Sequence, residues 1–235
     1  MKHDQHFMID KELAGKIVDY LKVSKSESVI EIGPGKGVLT EFLTAKTSNL
    51  KVIEIDKELC VKLKERFTNL EVVSRNVLNF KELEADKIIG NLPYSISEPF
   101  MNLLVRSKFK LGVFTVPISF MSDGFLQRIM KIFFVIKKLD IIEKKSFRPE
   151  PKVKSKVIRI TPRRLKQKGQ LIKEIYLQTD KTLKNALRES YCKVYEMTKK
   201  EALKNIPELR FLDKKVYTLN ADEWKILLES LNMRQ

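Results

Sequence analysis

Cysteine and histidine are nearly missing from this chain. There are two of each in 235 residues: Cys60, Cys192, His3 and His6. Neither a disulfide framework nor a zinc set can be assembled from them, so no metal is expected. Tryptophan occurs once, at Trp224, and glycine and proline eight times each, which excludes collagen-like and Gly/Pro-rich architectures. No apolar run reaches the length of a membrane span, and the first ten residues hold no secretory apolar stretch. The expectation is a protein of the reducing cytoplasm that does not touch membranes. Acidic residues are also scarce, 30 against 46 Lys and Arg, for a net charge of +16. A hydrophobic content of 43% excludes a disordered basic tail, and the length suffices to bury a core. An acidic partner is expected, with nucleic acid first.

The shortage of acid is local. Residues 1–100 carry 15 basic and 16 acidic side chains, whereas residues 101–235 carry 31 and 14. The stretch Arg128–Lys168 has 15 basic and 3 acidic residues. A neutral front half therefore precedes a strongly basic back half. Each cation that meets a phosphate releases a counterion and adds salt-dependent affinity.

In the front half, strand and helix patterns alternate. Leu13, Ile17 and Leu21 share one helix face behind Asp10, a candidate N-cap. Ser28–Ile32, Lys51–Asp56, Leu70–Val73, Lys87–Gly90 and Val113–Val116 read as strands, with helices over Val38–Ala45 and Lys57–Phe67. This alternation predicts β-α-β units and a parallel sheet. Gly124–Phe134 reads as helix. Val135–Ile142 and Lys156–Ile160 read as a terminal antiparallel pair. From about Leu165 only helices are expected: Ile172–Leu187, Lys199–Asn205 and Ala221–Leu231. The expected class is α/β, a Rossmann-like sheet in residues 1–164 followed by a small helical domain in residues 165–235.

Two motifs carry chemistry. Glu31-Ile32-Gly33-Pro34-Gly35-Lys36-Gly37 joins a strand to a helix, and glycines there let the backbone approach a ligand. Glu54 ends the next strand, 21 residues after Gly33, where an acidic residue takes ribose hydroxyls. The loop has neither the P-loop lysine context nor the Gly-x-Gly-x-x-Gly spacing. It suits S-adenosylmethionine (SAM), which has a ribose and an adenine but no pyrophosphate. The second motif, Asn91-Leu92-Pro93-Tyr94, follows the fourth strand. An exocyclic amine on an aromatic base is a poor nucleophile, because its lone pair is delocalised into the ring. The Asn91 side-chain oxygen and a backbone carbonyl beside Pro93 can accept from that amine, and Tyr94 can stack on the base. The base must leave its stack to be reached, which costs least in an unpaired loop.

These residues resemble the ribosomal RNA adenine N6-dimethyltransferase family, the kasugamycin-sensitivity methyltransferase of bacteria and its archaeal and eukaryotic counterparts. The resemblance covers most of residues 5–165. It rests on Gln5-His6-Phe7-Met8, on the Glu31–Thr40 loop, on Ile53-Glu54-Ile55-Asp56, on Asn91-Leu92-Pro93-Tyr94-x-Ile96-Ser97, and on Phe147-x-Pro149-x-Pro151-Lys152-Val153-x-Ser155. It implies that Asn91, Leu92, Pro93, Tyr94 and Phe147 form the catalytic set. Asn91 and the Leu92 carbonyl would hold the amine, and Tyr94 and Phe147 would sandwich the target adenine. Gln5, His6, Met8, Glu31, Gly33, Gly35, Glu54, Ile55, Asn76, Val77 and Asn91 would line the cofactor site. Within it Glu54 would take the ribose, and Gly33 and Gly35 would shape the methionine side.

The resemblance further implies SAM as methyl donor, a monomer, and the small ribosomal subunit and its rRNA as partner. The substrate would be two adjacent adenosines in a hairpin loop near the 3′ end, with a role in subunit biogenesis. Three departures stand out. Asn76 replaces an aspartate that accepts from the SAM adenine amine, a task the asparagine carbonyl oxygen can take over. His6 replaces an asparagine. Val116-Pro117-Ile118-Ser119 replaces a Gln-Lys-Glu segment. Two alternatives share the fold: an erythromycin-resistance methyltransferase of large-subunit rRNA, and a catalytically weak assembly factor.

Overall fold

A computed structural model describes residues 5–121 and 124–232. In chain order its elements are β1 (Phe7–Met8), α1 (Lys11–Leu21), β2 (Val29–Ile32), α2 (Val38–Thr44), β3 (Leu50–Glu54), α3 (Lys57–Arg66), β4 (Glu71–Ser74), β5 (Lys87–Asn91), α4 (Ser97–Arg106), β6 (Leu111–Pro117), α5 (Phe125–Phe133), β7 (Phe134–Ile142), β8 (Phe147–Arg148), β9 (Ser155–Pro162), α6 (Gln167–Leu177), α7 (Leu183–Tyr195), α8 (Lys199–Lys204) and α9 (Ala221–Asn232). Seven strands form one sheet in the order β4-β3-β2-β5-β6-β9-β7. The first five are parallel, and β9 runs antiparallel to both β6 and β7. The α/β, Rossmann-like expectation holds, including the antiparallel pair at the end of the sheet.

The core strands are apolar because both faces are covered. Every residue of β2 is buried. Helix α1 buries Ala14, Ile17, Val18 and Leu21, and its first turn is capped by Asp10, which accepts from Leu13 N at 3.0 Å. The chain leaves β2 for β3 and β4, then returns to β5 on the other side of β2. That reversal makes a topological switch point, and ligands of open α/β sheets bind beyond the carboxyl ends of the strands there.

The chain divides into two compact units. The first takes in Met1–Ser122 and Phe134–Pro162, and the second Asp123–Phe133 and Arg163–Gln235. Helix α5 thus groups with the later helices, whereas the sequence placed it before the boundary at residue 164. Within the second unit, the half-buried Tyr176 ring lies 5.6 Å from buried Phe133 and 5.8 Å from buried Trp224. The helix expected over Ile172–Leu187 is a correction. It is two helices, α6 and α7, broken at residues 178–182, where Thr182 caps α7 by accepting from Asn185 N. Helix α4 went unread, since Pro99 falls inside it. At the third helical position its missing N–H removes no helical hydrogen bond.

Candidate active site

Beyond β2 the chain passes through Gly33 and Gly35 at φ +62° and +56°, values that favour glycine. A Cβ at Gly35 would come within 2.9 Å of the Phe7 ring, so β1 lies directly on this loop. The Lys36 ammonium sits 5.1 Å from the centre of the same ring. At the end of β3, Glu54 is buried and accepts from Gly35 N at 3.1 Å, Ile55 N at 2.8 Å and Asp56 N at 3.0 Å. Three amides fix this carboxylate against the glycine loop.

Glu31 sits within β2 and is 1% exposed. Thr40 Oγ1 donates to its Oε2 at 2.7 Å. Burial pushes the Glu31 carboxyl up to about 8. The Thr40 hydrogen bond opposes the rise and the neighbouring Glu54 charge adds to it. Glu31 therefore keeps its proton at neutral pH.

The end of β5 carries Asn91, whose Nδ2 donates to the His6 carbonyl at 2.9 Å. His6 reaches the site because β1 pairs antiparallel with β8, Met8 opposite Phe147. Two further bonds tie this strap down: Ile9 N donates to Ser146 O at 2.9 Å, and Ser146 Oγ donates to Asp10 at 3.2 Å. The His6 ring uses Nδ1 at 2.8 Å from the Pro149 carbonyl. A carbonyl only accepts, so Nδ1 carries the proton. Tyr94 lies 5.7 Å from the His6 ring and shares a 2.7 Å hydrogen bond with Ser155 Oγ.

One cleft, about 1110 Å³ of empty space, is lined by all fifteen sequence-expected residues. The lining includes Gln5, His6, Met8, Glu31, Gly33, Gly35, Glu54, Ile55, Asn76 and Val77 together with Asn91, Leu92, Pro93, Tyr94 and Phe147. Phe147 is 2% exposed and belongs to the main core cluster, so it enters the lining with little of its ring free. Asn76 Oδ1 accepts from Leu78 N at 2.9 Å and caps the short turn Val77–Asn79, which leaves it a second lone pair.

Sequence reading left out Phe7, Lys36, Arg75 and Ser155, which share the lining. Phe7, Lys36 and Ser155 lie inside the quoted motifs, so their signal was present. Arg75 gave none. The cleft suits a nucleoside. It offers a buried carboxylate at a strand end, a glycine loop with close backbone, and the exposed apolar side chain of Ile55 beside buried Val77. Among the described residues no group of His, Cys, Asp and Glu could hold a metal, and no helix is long and apolar enough to cross a membrane.

Known proteins resemble this chain over nearly its whole length. The family model described as ribosomal RNA adenine dimethylase matches residues 1–226. The chain is 32% identical to a probable ribosomal RNA small subunit methyltransferase A of Methanococcoides burtonii, over 94% of this chain and 89% of that protein. It is 29% identical to the protein of the same description in Pyrococcus abyssi, over 97% and 90%. Among solved structures, a dimethyladenosine transferase from Plasmodium falciparum superposes with a TM-score of 0.65 at 23% identity, covering 97% of this chain and 98% of that one. The 23S rRNA methyltransferase ErmE gives 0.64 at 18%, covering 96% and 99%. These two differently named transferases share one fold, so the fold by itself does not select the substrate.

Proposed function

The chain belongs to the ribosomal RNA adenine dimethylase family, and on that premise we propose that it transfers methyl groups from SAM to N6 of two adjacent adenosines in a loop near the 3′ end of small-subunit rRNA. The observation that carries this reading is the continuity of the cleft, which runs from the Glu54 carboxylate to the Asn91–Tyr94 turn. SAM supplies an electrophilic methyl on a sulfonium sulfur. Glu54 holds the ribose hydroxyls, and Gly33 and Gly35 keep the loop close to the methionine part.

With Asn91 Nδ2 committed to His6 O, its Oδ1 is the acceptor arm for the target amine. The Leu92 carbonyl is the second acceptor. Two acceptors favour a pyramidal nitrogen and so free its lone pair for the methyl that bound SAM would supply, with the sulfur as leaving group. The amine proton would pass to solvent. Tyr94, steadied by Ser155, supplies the ring on which the base stacks. Exposed Lys145, Arg148 and Lys152 flank Phe147 and meet RNA phosphates. The helical second unit adds Arg163, Arg164 and Lys166, all exposed.

The small-subunit relatives favour that substrate over the large subunit. The test is incubation with SAM and undermethylated small or large subunits, read as N6,N6-dimethyladenosine by mass spectrometry. Product on small subunits is expected. Product only on large subunits overturns the substrate assignment, and binding without product supports the assembly-factor alternative.

A further inference from the structure

We propose that the first unit carries a track for an RNA strand, running from the glycine loop along α3 and past its last turn, and that its occupant is the phosphodiester backbone beyond the target base. The inference rests on the rRNA reading above and adds a surface outside the cleft. Residues 1–100 are nearly neutral in sum, yet the fold sorts their charges. Leu59, Lys62, Leu63 and Arg66 stand at i, i+3, i+4 and i+7 and so share one face of α3. That face and Gly35–Lys36 line a groove of about 570 Å³. Arg66 Nη1 donates to the Lys36 carbonyl at 3.1 Å, which ties the helix to the loop.

Cleft and groove share Gly35 and Lys36, so a strand leaving the cleft meets the groove directly. Arg66 also lines a third depression, of about 900 Å³, together with Lys25 and Lys46. The two linings outside the cleft thus hold five cations and no carboxylate. Acids from outside them claim two of the five: Glu41 pairs with Arg66, and Asp19 with Lys46 at 2.9 Å. Lys25, Lys36 and Lys62 pair with no carboxylate among the described residues. Lys25 and Lys62 are also exposed. Spaced cations suit a ligand of spaced anions, and Leu59 and Leu63 offer the sugars between them an apolar floor. A lone phosphate would occupy one station only. A polymer of phosphates uses the whole track and releases a counterion at each contact.

Filter retention of protein-free small-subunit rRNA by the full chain, across a potassium chloride series, tests this without turnover. Lys25→Gln/Lys62→Gln removes two track cations that lie outside the cleft. Lys64→Gln/Lys81→Gln removes two exposed cations of the same unit that line neither depression. The track pair is expected to flatten the log–log salt slope by about 1.4, two contacts with a single strand, and to weaken retention at low salt by about tenfold. The control pair is expected to leave both unchanged, and S-adenosylhomocysteine affinity should stay within about twofold in either variant. An unaltered slope in the track pair, or equal changes in the two pairs, overturns the proposal and leaves the rRNA reading standing. Weaker binding of intact subunits without weaker binding of bare rRNA assigns the surface to a ribosomal protein and overturns it as well. A wild type that retains no rRNA removes the rRNA reading and the track together.

Discussion

Asn91 and His6, 85 residues apart, are joined by a 2.9 Å hydrogen bond from the Asn91 side-chain amide to the His6 carbonyl. The bond settles which end of the carboxamide is a donor and which remains an acceptor. Asn91→Ala removes the acceptor and should lower single-turnover methylation by about two to three orders of magnitude. Binding of small subunits, measured by filter retention, should stay within about twofold. Activity that survived the change would remove Asn91 from the amine-holding role.

The His6 ring anchors that carbonyl through Nδ1 and Pro149. In asparagine, Nδ2 hangs from Cγ as Nδ1 does in histidine, so His6→Asn can keep the bond and His6→Phe cannot. Steady-state kinetics should show kcat lowered in His6→Phe and largely restored in His6→Asn. Equal loss in both variants would mean that the imidazole itself is required.

The raised Glu31 carboxyl makes stability depend on pH. Folded, it holds its proton up to about 8; unfolded, it releases it near the ordinary value of 4.5. Between these values the folded state binds more protons, so stability falls as pH rises through the window. Asp86, held down to about 2 chiefly by Lys110 and then by Ser28, acts only below that window. Urea midpoints measured from pH 5 to pH 8 should fall less steeply in Glu31→Gln than in the wild type. Parallel slopes would place the proton elsewhere.

Gly35 combines a positive φ with a ring 2.9 Å from any added Cβ. Gly35→Ala should lower stability by about 1–2 kcal/mol and weaken S-adenosylhomocysteine binding by at least about tenfold. Calorimetry gives both quantities. Unchanged affinity in a folded variant would separate the loop from the ligand.

Replacing Arg163, Arg164 and Lys166 together by glutamine should flatten the salt dependence of subunit binding, by about 0.7–1 in log–log slope for each lost phosphate contact. Affinity for S-adenosylhomocysteine should not change. An unaltered slope would assign these cations to a solvated surface.

The sequence alone carried the alternation of strands and helices in the front half, apart from α4, with the glycine loop, Glu54 and the Asn91–Tyr94 turn. Those features are written in local periodicity and turn chemistry, which read the same in any surroundings. It also showed that the basic excess begins after residue 100. Tertiary structure decided the rest. Pairing of Phe7–Met8 with Phe147–Arg148 leaves no mark in either two-residue strand, and the break after Leu177 depends on a cap rather than on composition. Above all, the two asparagines of the cleft are oriented by their partners. Leu78 N donates to the oxygen of Asn76, and the distant His6 carbonyl accepts from the amide of Asn91. A carboxamide can stand either way round, and only the neighbours brought to it by the fold decide which.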